Sequence, residues 1–330
     1  MGNLALNNAL SGVLSSQQAL DVISQNVSNA EDEDYSRQRA IIKSNRPLFQ
    51  DGKVFGAGVN VDEVLRSRNQ LLEERLNTAQ QDQSRLGELS DIYQQIETFL
   101  NEPSEESIRG TFSSLDQSLQ TLANDPENRG ARSDLVGKAQ SFTNVLRRFN
   151  RQLQELAGPR TGSVNEQISN TLEEVNSLAS QISSLNTDIA TQKARGGSPN
   201  DLLDERDALV NELSQLGKIE TSTDDGEFRV NISGYTLVQG RESHELSYGR
   251  KNEGEKRKIL YDNPTQSVVS PGNGRLKALF DARDEVIPGI VDELNDLTVQ
   301  YVDRFNDLHK SGFGLDGQTG NKFFEELPTQ

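Results

Sequence analysis

An apolar seven-residue repeat near the start of the chain constrains the fold more than any other feature. Positions 6, 13, 20 and 27 hold Leu, Val, Leu and Val, and the companion positions 9, 16, 23 and 30 hold Ala, Ser, Ile and Ala. Polar residues fill the faces between them. This pattern predicts an amphipathic helix with a coiled-coil seam. The candidate assembly residues on that seam are Leu6, Val13, Leu20, Ile23 and Val27.

Two interpretations of this helix remain open from periodicity alone. The helix can fold back and bury its seam against its own domain, or it can wait for another subunit. In the second case residues 1–58, alone in dilute solution, should be largely disordered. A single helix of this length is only marginally stable in water without a partner for its apolar face. We therefore expect the opening segment to have no partner within its own chain.

Composition excludes several classes of function. The 330 residues carry a net charge of -17, whereas a nucleic-acid binder needs an excess of Lys and Arg to neutralise phosphates. Without cysteine, thiolate metal sites and cysteine nucleophiles are impossible. No apolar run approaches the roughly 20 residues of a membrane span. We expect no nucleic-acid, membrane, cofactor or metal binding, and no catalytic centre.

The remaining periodicities predict a mainly α fold with a small β part. We expect an elongated long-helix bundle with an inserted small antiparallel β subdomain and an N-terminal coiled-coil helix. Residues 1–60 would form the axial helix and an extended linker, and residues 61–219 the first part of a helical rod. Residues 220–266 would form the β subdomain, and residues 267–330 the second part of the rod. Within residues 220–262, alternation of apolar and polar residues predicts three to five strands that could be removed without unfolding the helices.

Two long helices carry the clearest further seams. One is predicted to start near Asp62 and to end at Pro103, after which Ser104 would cap a short helix. The other starts in a capping box at Ser163 and runs to about Ala194. We expect both seams to be buried in one bundle formed by residues 62–216 and 275–310. The first seam comprises Leu65, Leu72, Ala79, Leu86, Tyr93 and Leu100, and the second comprises Ile168, Val175, Ile182 and Ile189.

A group of acids at Asp204, Glu205 and Asp207 invites a metal-binding or acid–base interpretation. Helical spacing directs the three carboxylates to different faces, and no histidine stands nearby in the sequence. We expect a solvated helix face on which Arg206 pairs with a neighbour. Asn200 or Asp201 is expected to cap this helix at its N-terminus.

Four segments resemble one protein family. The first comprises residues 9–14, 17–20, 24–30 and the string Tyr-Ser-Arg-Gln at 35–38. The others are residues 197–207, residues 274–288, and residues 305–309 with Gly312 and residues 317–324. Together they resemble the rod, hook and hook-associated proteins of the flagellar axis, above all the FlgK family of hook-associated proteins. In the first segment, the residues that match the family motif are Asn26, Asn29, Tyr35, Arg37 and Gln38.

The resemblance implies a structural role as the adapter that joins the flagellar hook to the filament. It implies export by the flagellar type III machinery, and a location outside the cell at the hook–filament junction. The implied partners are the hook protein, other hook-associated proteins and copies of the chain itself. In this family an N-terminal helix pairs with a C-terminal helix. Because no such helix follows Phe324, we expect a truncated chain or a short variant.

The alternative is a free coiled-coil binding module, for instance an adaptor or a regulator, with no flagellar role. An enzyme is a third and weaker interpretation. One departure from the family concerns the turn before Tyr35, where Asp34 stands in place of the usual glycine. If position 34 requires a positive φ, aspartate adopts it only at a cost, and replacing Asp34 by glycine would restore the turn.

Overall fold

A computed structural model of the chain describes residues 2–50, 53–100, 104–158, 162–252 and 255–325. It is mainly helical with small antiparallel sheets, which confirms the predicted fold class. The helices are α1 (Gly2–Ser28), α2 (Gln70–Leu100), α3 (Ile108–Asn124), α4 (Arg129–Ala157), α5 (Ser163–Ala194), α6 (Asn200–Leu216), α7 (Gly274–Asp281) and α8 (Ile287–Lys310). Within the described ranges, none of these helices is both long enough and apolar enough to cross a bilayer.

The strands lie in two parts of the sequence. Before α2 they are β1 (Gln38–Ser44), β2 (Leu48–Gln50), β3 (Lys53–Phe55) and β4 (Val59–Arg66). After α6 they are β5 (Ile219–Asp224), β6 (Glu227–Ile232), β7 (Tyr235–Gln239), β8 (Glu242–Ser243), β9 (Leu246–Gly249), β10 (Lys258–Tyr261) and β11 (Val268–Val269).

The chain divides into two compact units. The first unit comprises Met1–Ser84 and Thr171–Arg275, and the second comprises Arg85–Asn170 and Leu276–Gln330. Helices α2 and α5 each contribute residues to both, so the helices that were expected to form one bundle are shared between two units. The division of the chain at residues 60, 219 and 266 stays a prediction.

The long helix α2 begins at Gln70 and not near Asp62, because residues 59–66 form strand β4 instead. Valines at positions 59, 61 and 64 favour the extended conformation. Strand β4 pairs antiparallel with β1, from Gln38 opposite Arg66 to Ser44 opposite Val59. The segment expected to be an extended linker is therefore a two-stranded ribbon, named here the β1–β4 ribbon.

The β1–β4 ribbon is the local partner of α1 in the first unit. The Asn8 side chain donates a hydrogen bond to the Gly56 carbonyl at 2.9 Å. The Ser11 hydroxyl accepts one from the Val59 N–H at 3.2 Å, and Ser15 donates to the Val59 carbonyl at 3.4 Å. The expectation that α1 has no partner within its own chain is therefore wrong. The error arose because the contact uses the helix face opposite to the heptad positions, which is mainly polar, whereas the periodicity indicated only the apolar seam.

Gly58 permits this close approach. It adopts a φ of +81°, and a Cβ added to it would lie only 2.1 Å from the Ser11 hydroxyl oxygen. Glycine adopts positive φ without steric cost and leaves room for the helix backbone to come near.

Helix α5 carries the best-buried seam, as predicted. In the first unit, Val175, Ile182 and Ile189 are at most 5% exposed. The polar residues beside them dock the strands onto the helix. Asn176 exchanges two hydrogen bonds with the Leu246 backbone, at 2.8 and 2.9 Å, and Asn186 donates to the Gly240 carbonyl at 2.7 Å.

Among the described residues, the strands after α6 form two antiparallel sheets, ordered β5-β6-β7-β8 and β11-β10-β9. In the described part of residues 220–262 the structure has six strands, β5 to β10, so the prediction of three to five was too low; it overlooked the two-residue strand β8. Such short strands carry too few residues for an alternating pattern to be recognised. Whether the segment 220–262 can be removed stays a prediction.

The core of the second unit lies between α3, α4 and α8. Leu115, Leu135, Ala139 and Phe142 are buried there. The ring of Tyr301 packs edge-on against Phe142 with their centroids 5.8 Å apart. Helix α3 is capped by Ser107, whose side chain accepts from the Gly110 N–H, and not by Ser104 as expected.

The predicted seam of α2 is exposed, which corrects the expectation that it is buried. Leu72 is 63% exposed in the first unit, and Leu86 is 57% exposed in the second. Helix α2 packs through other side chains, among them the buried Gln81, which donates to the Ile219 carbonyl, and Ile92, which is 1% exposed. A heptad therefore shows that a helix has an apolar stripe, but not that the stripe is covered.

Between α7 and α8 the helix passes through a π-helical turn, Ala282–Val286. The Ile287 N–H donates to the Ala282 carbonyl, which is the wider spacing of that turn. Pro288 follows directly and supplies no N–H to the helix. The helix is thus locally widened before Pro288 and continues beyond it to Lys310.

We predict that Ile182→Asp destabilises the first unit by at least about 3 kcal/mol, because it removes a fully buried side chain and puts a carboxylate in its place. Thermal unfolding followed by circular dichroism measures the effect. Gln181→Asp introduces the same charge at the neighbouring exposed position and serves as the control. An unchanged melting temperature in Ile182→Asp would contradict the assignment of this seam to the core.

We predict that Gly58→Ala loosens α1. The backbone cost of a positive φ is about 1–2 kcal/mol, and the new methyl group meets Ser11. Hydrogen exchange of the α1 amides should accelerate, while exchange in α5 stays the same. Gly56→Ala is the matched control, because a Cβ there meets nothing within 4 Å. Equal exchange in the two variants would show that the close approach at Gly58 does not hold the helix.

Candidate assembly surface and its anchor

The predicted seam residues of α1 form a continuous exposed apolar surface. Their exposed fractions are 68% for Leu6, 64% for Val13, 63% for Leu20, 55% for Ile23 and 72% for Val27. We name these five residues the α1 seam. Helix α1 holds a single charged residue, Asp21, so the surface is almost uncharged.

The exposure of the α1 seam follows from the way the helix is docked. The residues that contact the β1–β4 ribbon lie on the helix face opposite to the seam. Because their hydrogen bonds are directional, they hold that face inward and leave the seam outward. Contiguous apolar surface of this kind marks interaction sites, and an amphipathic helix binds through residues at such spacings.

Three of the five motif residues meet at the end of α1. The Asn26 side-chain oxygen accepts hydrogen bonds from the Gln38 N–H at 2.8 Å and from the Tyr35 hydroxyl at 3.1 Å. The Asn26 amide donates to the Gln38 carbonyl at 2.8 Å. One asparagine thus pairs with both backbone groups of the first residue of β1, as a neighbouring strand would.

The other two motif residues have different surroundings. The Asn29 amide donates to the Gln25 carbonyl within the same helical turn, at 3.1 Å. Arg37 is exposed, and its carbonyl accepts from the Ser67 N–H at 2.8 Å. The side chains at positions 36 and 38 are buried, so strand alternation directs the Arg37 side chain outward.

The turn before Tyr35 is not strained. In the part of the chain that the structure describes, the residues other than glycine with positive φ are Asp225, Ser233 and Gln266. Asp34 is not among them, and its N–H donates to the Asp32 carboxylate at 3.0 Å. Aspartate side chains commonly form such turns by binding the backbone two residues on. The condition under which Asp34→Gly would restore the turn, a positive φ at position 34, is therefore not met.

The second family segment, at the start of α6, binds the first. Asp204 accepts a hydrogen bond from the Ser36 N–H at 3.2 Å and an ion-paired one from Arg66 at 2.6 Å. Its side chain is 8% exposed. The expectation of a solvated face at Asp204 is wrong, because the β1–β4 ribbon covers that side of α6; Glu205 alone of the three acids is exposed.

Asp207 extends the ion pairs one helical turn further. It accepts from Arg66 at 2.9 Å and from Arg68 at 2.7 Å. Arg68 also pairs with Glu73 in the first turn of α2, at 2.8 Å. The two arginines thus bridge α6, the end of the ribbon and the start of α2.

The first residues of α6 bind the ribbon instead of capping their helix. The Asn200 amide donates to the Gln38 side-chain oxygen at 3.0 Å and to the Val64 carbonyl at 2.9 Å. Gln38 in turn donates to Asp201 at 3.2 Å. The anchor network is defined here as Asn26, Gln38, Arg66, Arg68, Asn200, Asp204 and Asp207.

Arg206 lies on another side of α6. Its guanidinium stacks 3.6 Å from the centroid of the Phe228 ring and donates to the Asn186 side chain at 3.3 Å. Burial lowers the pKa of Arg206 below its ordinary value, while the charge of Asp207 opposes the shift. The expected pairing with a neighbour is present as a long contact with Asp207, at 3.5 Å.

Tyr35 shows the electrostatic character of the same region. Burial raises the pKa of its hydroxyl, and the charges of Asp201 and Asp204 raise it further. The hydroxyl therefore stays protonated at neutral pH and remains a donor to Asn26. Among the described residues, no group of three or more His, Cys, Asp or Glu side chains is placed to hold a metal ion.

Sequence reasoning missed Arg66 and Arg68 as functional residues. A signal was present in the acids, because Asp204 and Asp207 are three positions apart on a helix and share one face. Both bind Arg66, so the expectation that helical spacing separates all three acids is wrong for this pair. What the sequence did not give was the pairing between these elements, which lie far apart along the chain.

Comparisons with known proteins agree with these features. The family model described as "Flagellar hook-associated protein FlgK helical domain" matches residues 93–324. Flagellar hook-associated protein 1 of Salmonella typhimurium is 31% identical over 97% of this chain and 59% of its own length. The protein of the same name from Bacillus subtilis is 25% identical over 98% of this chain and 70% of its own length.

A solved structure shows the same fold. The flagellar hook junction protein FlgK from Burkholderia pseudomallei superposes with a TM-score of 0.60 and 27% identity, over 75% of this chain and 46% of its own. The present chain thus spans somewhat more than half the length of its Salmonella relative. The family match covers most of the chain, and two segments by which the sequence resembled the family meet in the anchor network. The chain belongs to the FlgK family of flagellar hook-associated proteins.

Proposed function

We propose that this chain is a structural component of the bacterial flagellum that acts as an adapter at the hook–filament junction. The observation that carries the proposal is the α1 seam, which is exposed on a helix whose opposite face is held by its own chain. A surface that is both apolar and fixed in direction suits permanent packing against a neighbouring helix. The names of the relatives indicate the assembly in which that packing occurs.

The partners that we propose are the flagellar hook protein, other hook-associated proteins and further copies of the chain. Subunits that stack along an axis need heterologous, non-closing interfaces, in which the surface of one subunit meets a different surface of the next. The α1 seam is exposed and points away from its own chain, so it is suited to such a contact. Each side chain buried in it would contribute about 1.5–3 kcal/mol.

We further propose that the chain leaves the cell through the flagellar type III apparatus and reaches the extracellular end of the hook. The export signal would lie in the N-terminal segment. The function proposed is packing and no chemical step, since the carboxylates of the anchor network are paired with arginines.

We predict that Leu20→Asp abolishes incorporation into the flagellum without unfolding the protein. Leu20 is 63% exposed, so a carboxylate there is solvated in the free chain but would be buried at an interface. Addition of the purified protein to hooks that lack it, followed by sedimentation, should show a loss of about tenfold or more in bound protein. Far-UV circular dichroism of the variant should match the parent.

Gln18→Asp is the matched control, because it adds the same charge to an exposed position of α1 that lies off the seam. It should bind hooks as the parent does. Normal binding by Leu20→Asp would contradict assembly through the seam. Binding of the parent to helical peptides but not to hooks would instead support a free coiled-coil module.

A further inference from the structure

The anchor network connects α1 and the neighbouring β1–β4 ribbon to α6, which lies far along the chain. Asn26 binds α1 to the start of β1, Asn200 and Asp204 bind that strand to α6, and Arg66 binds the end of β4 to α6. The two family segments that meet here are separated by 168 positions between Ser36 and Asp204. The direction of α1 relative to α6 therefore depends on a few polar contacts.

Asp204 lies at the centre of these contacts. One carboxylate oxygen accepts from the Ser36 backbone, and the other from the Arg66 guanidinium. Asp207 shares Arg66 and adds Arg68, so the two acids face two cations. Side chains in such a cluster are largely removed from solvent, and the loss of one partner leaves a buried charge without compensation.

The contact is mainly polar, although Val22, on the same face of α1, is also buried and is 9% exposed. On the α1 side the ribbon-facing positions hold Asn8, Ser11, Ser15 and Asn26, and on the α6 side the contacts come from amide and carboxylate groups. An interface made mainly of hydrogen bonds and ion pairs has a defined geometry but a modest net stability, because each bond replaces one to water. Removal of its central charge should therefore release the contact as a unit.

We propose that Asp204 is a positioning residue that holds α1 and the β1–β4 ribbon onto α6, so that the α1 seam is presented in one direction. The positioning is a property of the free chain. Its consequence for assembly rests on the proposed function.

The experiment compares Asp204→Asn with Glu205→Gln in the full chain. Both remove one carboxylate from the same helix, but Glu205 is exposed. Hydrogen exchange with peptide resolution should show about tenfold or faster exchange across residues 4–66 in Asp204→Asn, with α5 and β5–β7 unchanged. Glu205→Gln should leave all of these segments as in the parent.

A double-mutant cycle separates positioning from general destabilisation. Arg66→Gln, combined with Asp204→Asn, replaces the ion pair by two neutral amides that can still bind each other. Asp207 also loses Arg66 but keeps its ion pair with Arg68. If the two residues act together, the double variant should exchange no faster in residues 4–66 than Asp204→Asn alone. Additive acceleration would show independent effects and would overturn the pairing as the cause.

Two further outcomes overturn the proposal. One is parent-like exchange in residues 4–66 of Asp204→Asn, and the other is acceleration spread equally over α5 and β5–β7. Binding to hooks is then measured on the same variants, and Asp204→Asn should bind about tenfold less than Glu205→Gln. Should Leu20→Asp bind hooks normally, the proposed function fails, while the exchange result still decides whether Asp204 positions α1.

Discussion

The directional hydrogen bonds between α1 and the β1–β4 ribbon are the constraint on which the α1 seam depends. Ser11 accepts from the backbone of Val59, and Asn26 satisfies both backbone groups of Gln38. Hydrogen bonds require a short donor–acceptor distance and a nearly linear geometry, so these bonds fix the rotation of the helix about its own axis. If the helix were docked through the residues of the α1 seam, the same contact would bury that seam within its own chain. Because the helix docks through its opposite face instead, the α1 seam stays free for a neighbour.

The anchor network extends this constraint into the body of the first unit. Gln38 is shared by Asn26 on one side and by Asn200 and Asp201 on the other, so the end of α1 and the start of α6 act on the same strand residue. Buried ion pairs contribute less to stability than their number suggests, because desolvation offsets attraction. These ion pairs instead specify position, because a planar Arg guanidinium binds carboxylates in only a few orientations. The network thus links a sequence resemblance to a physical role, since five of its seven members come from two of the segments by which the sequence resembles the family, the other two being Arg66 and Arg68.

The amount of structure that the sequence predicted varied with the kind of interaction. The seam of α5 was predicted residue by residue, because Val175, Ile182 and Ile189 are buried within a single long helix whose period is unambiguous. The same reasoning failed for α2, where Leu72 is exposed, because a period locates a stripe but does not identify its partner. The strand β4 was taken for a helix start, since Leu65 fits both patterns. The pairing of Arg66 with Asp204 is set by tertiary structure, so local pattern could not have found it.

The central claim is that the seam of α1 faces away from its own chain while the opposite face is covered. The sequence contains no cysteine, so single thiols can report on each face without background. We would measure the rate of thiol alkylation in Val13→Cys, on the seam, and in Val22→Cys, on the covered face, where the parent side chain is 9% exposed. In the free protein, the thiol at position 13 should react at a rate near that of a small thiol in solution, and the thiol at position 22 should react much more slowly. After assembly on hooks, both thiols should react slowly. Equally slow reaction of the two in the free protein, or continued fast reaction at position 13 after assembly, would contradict the account.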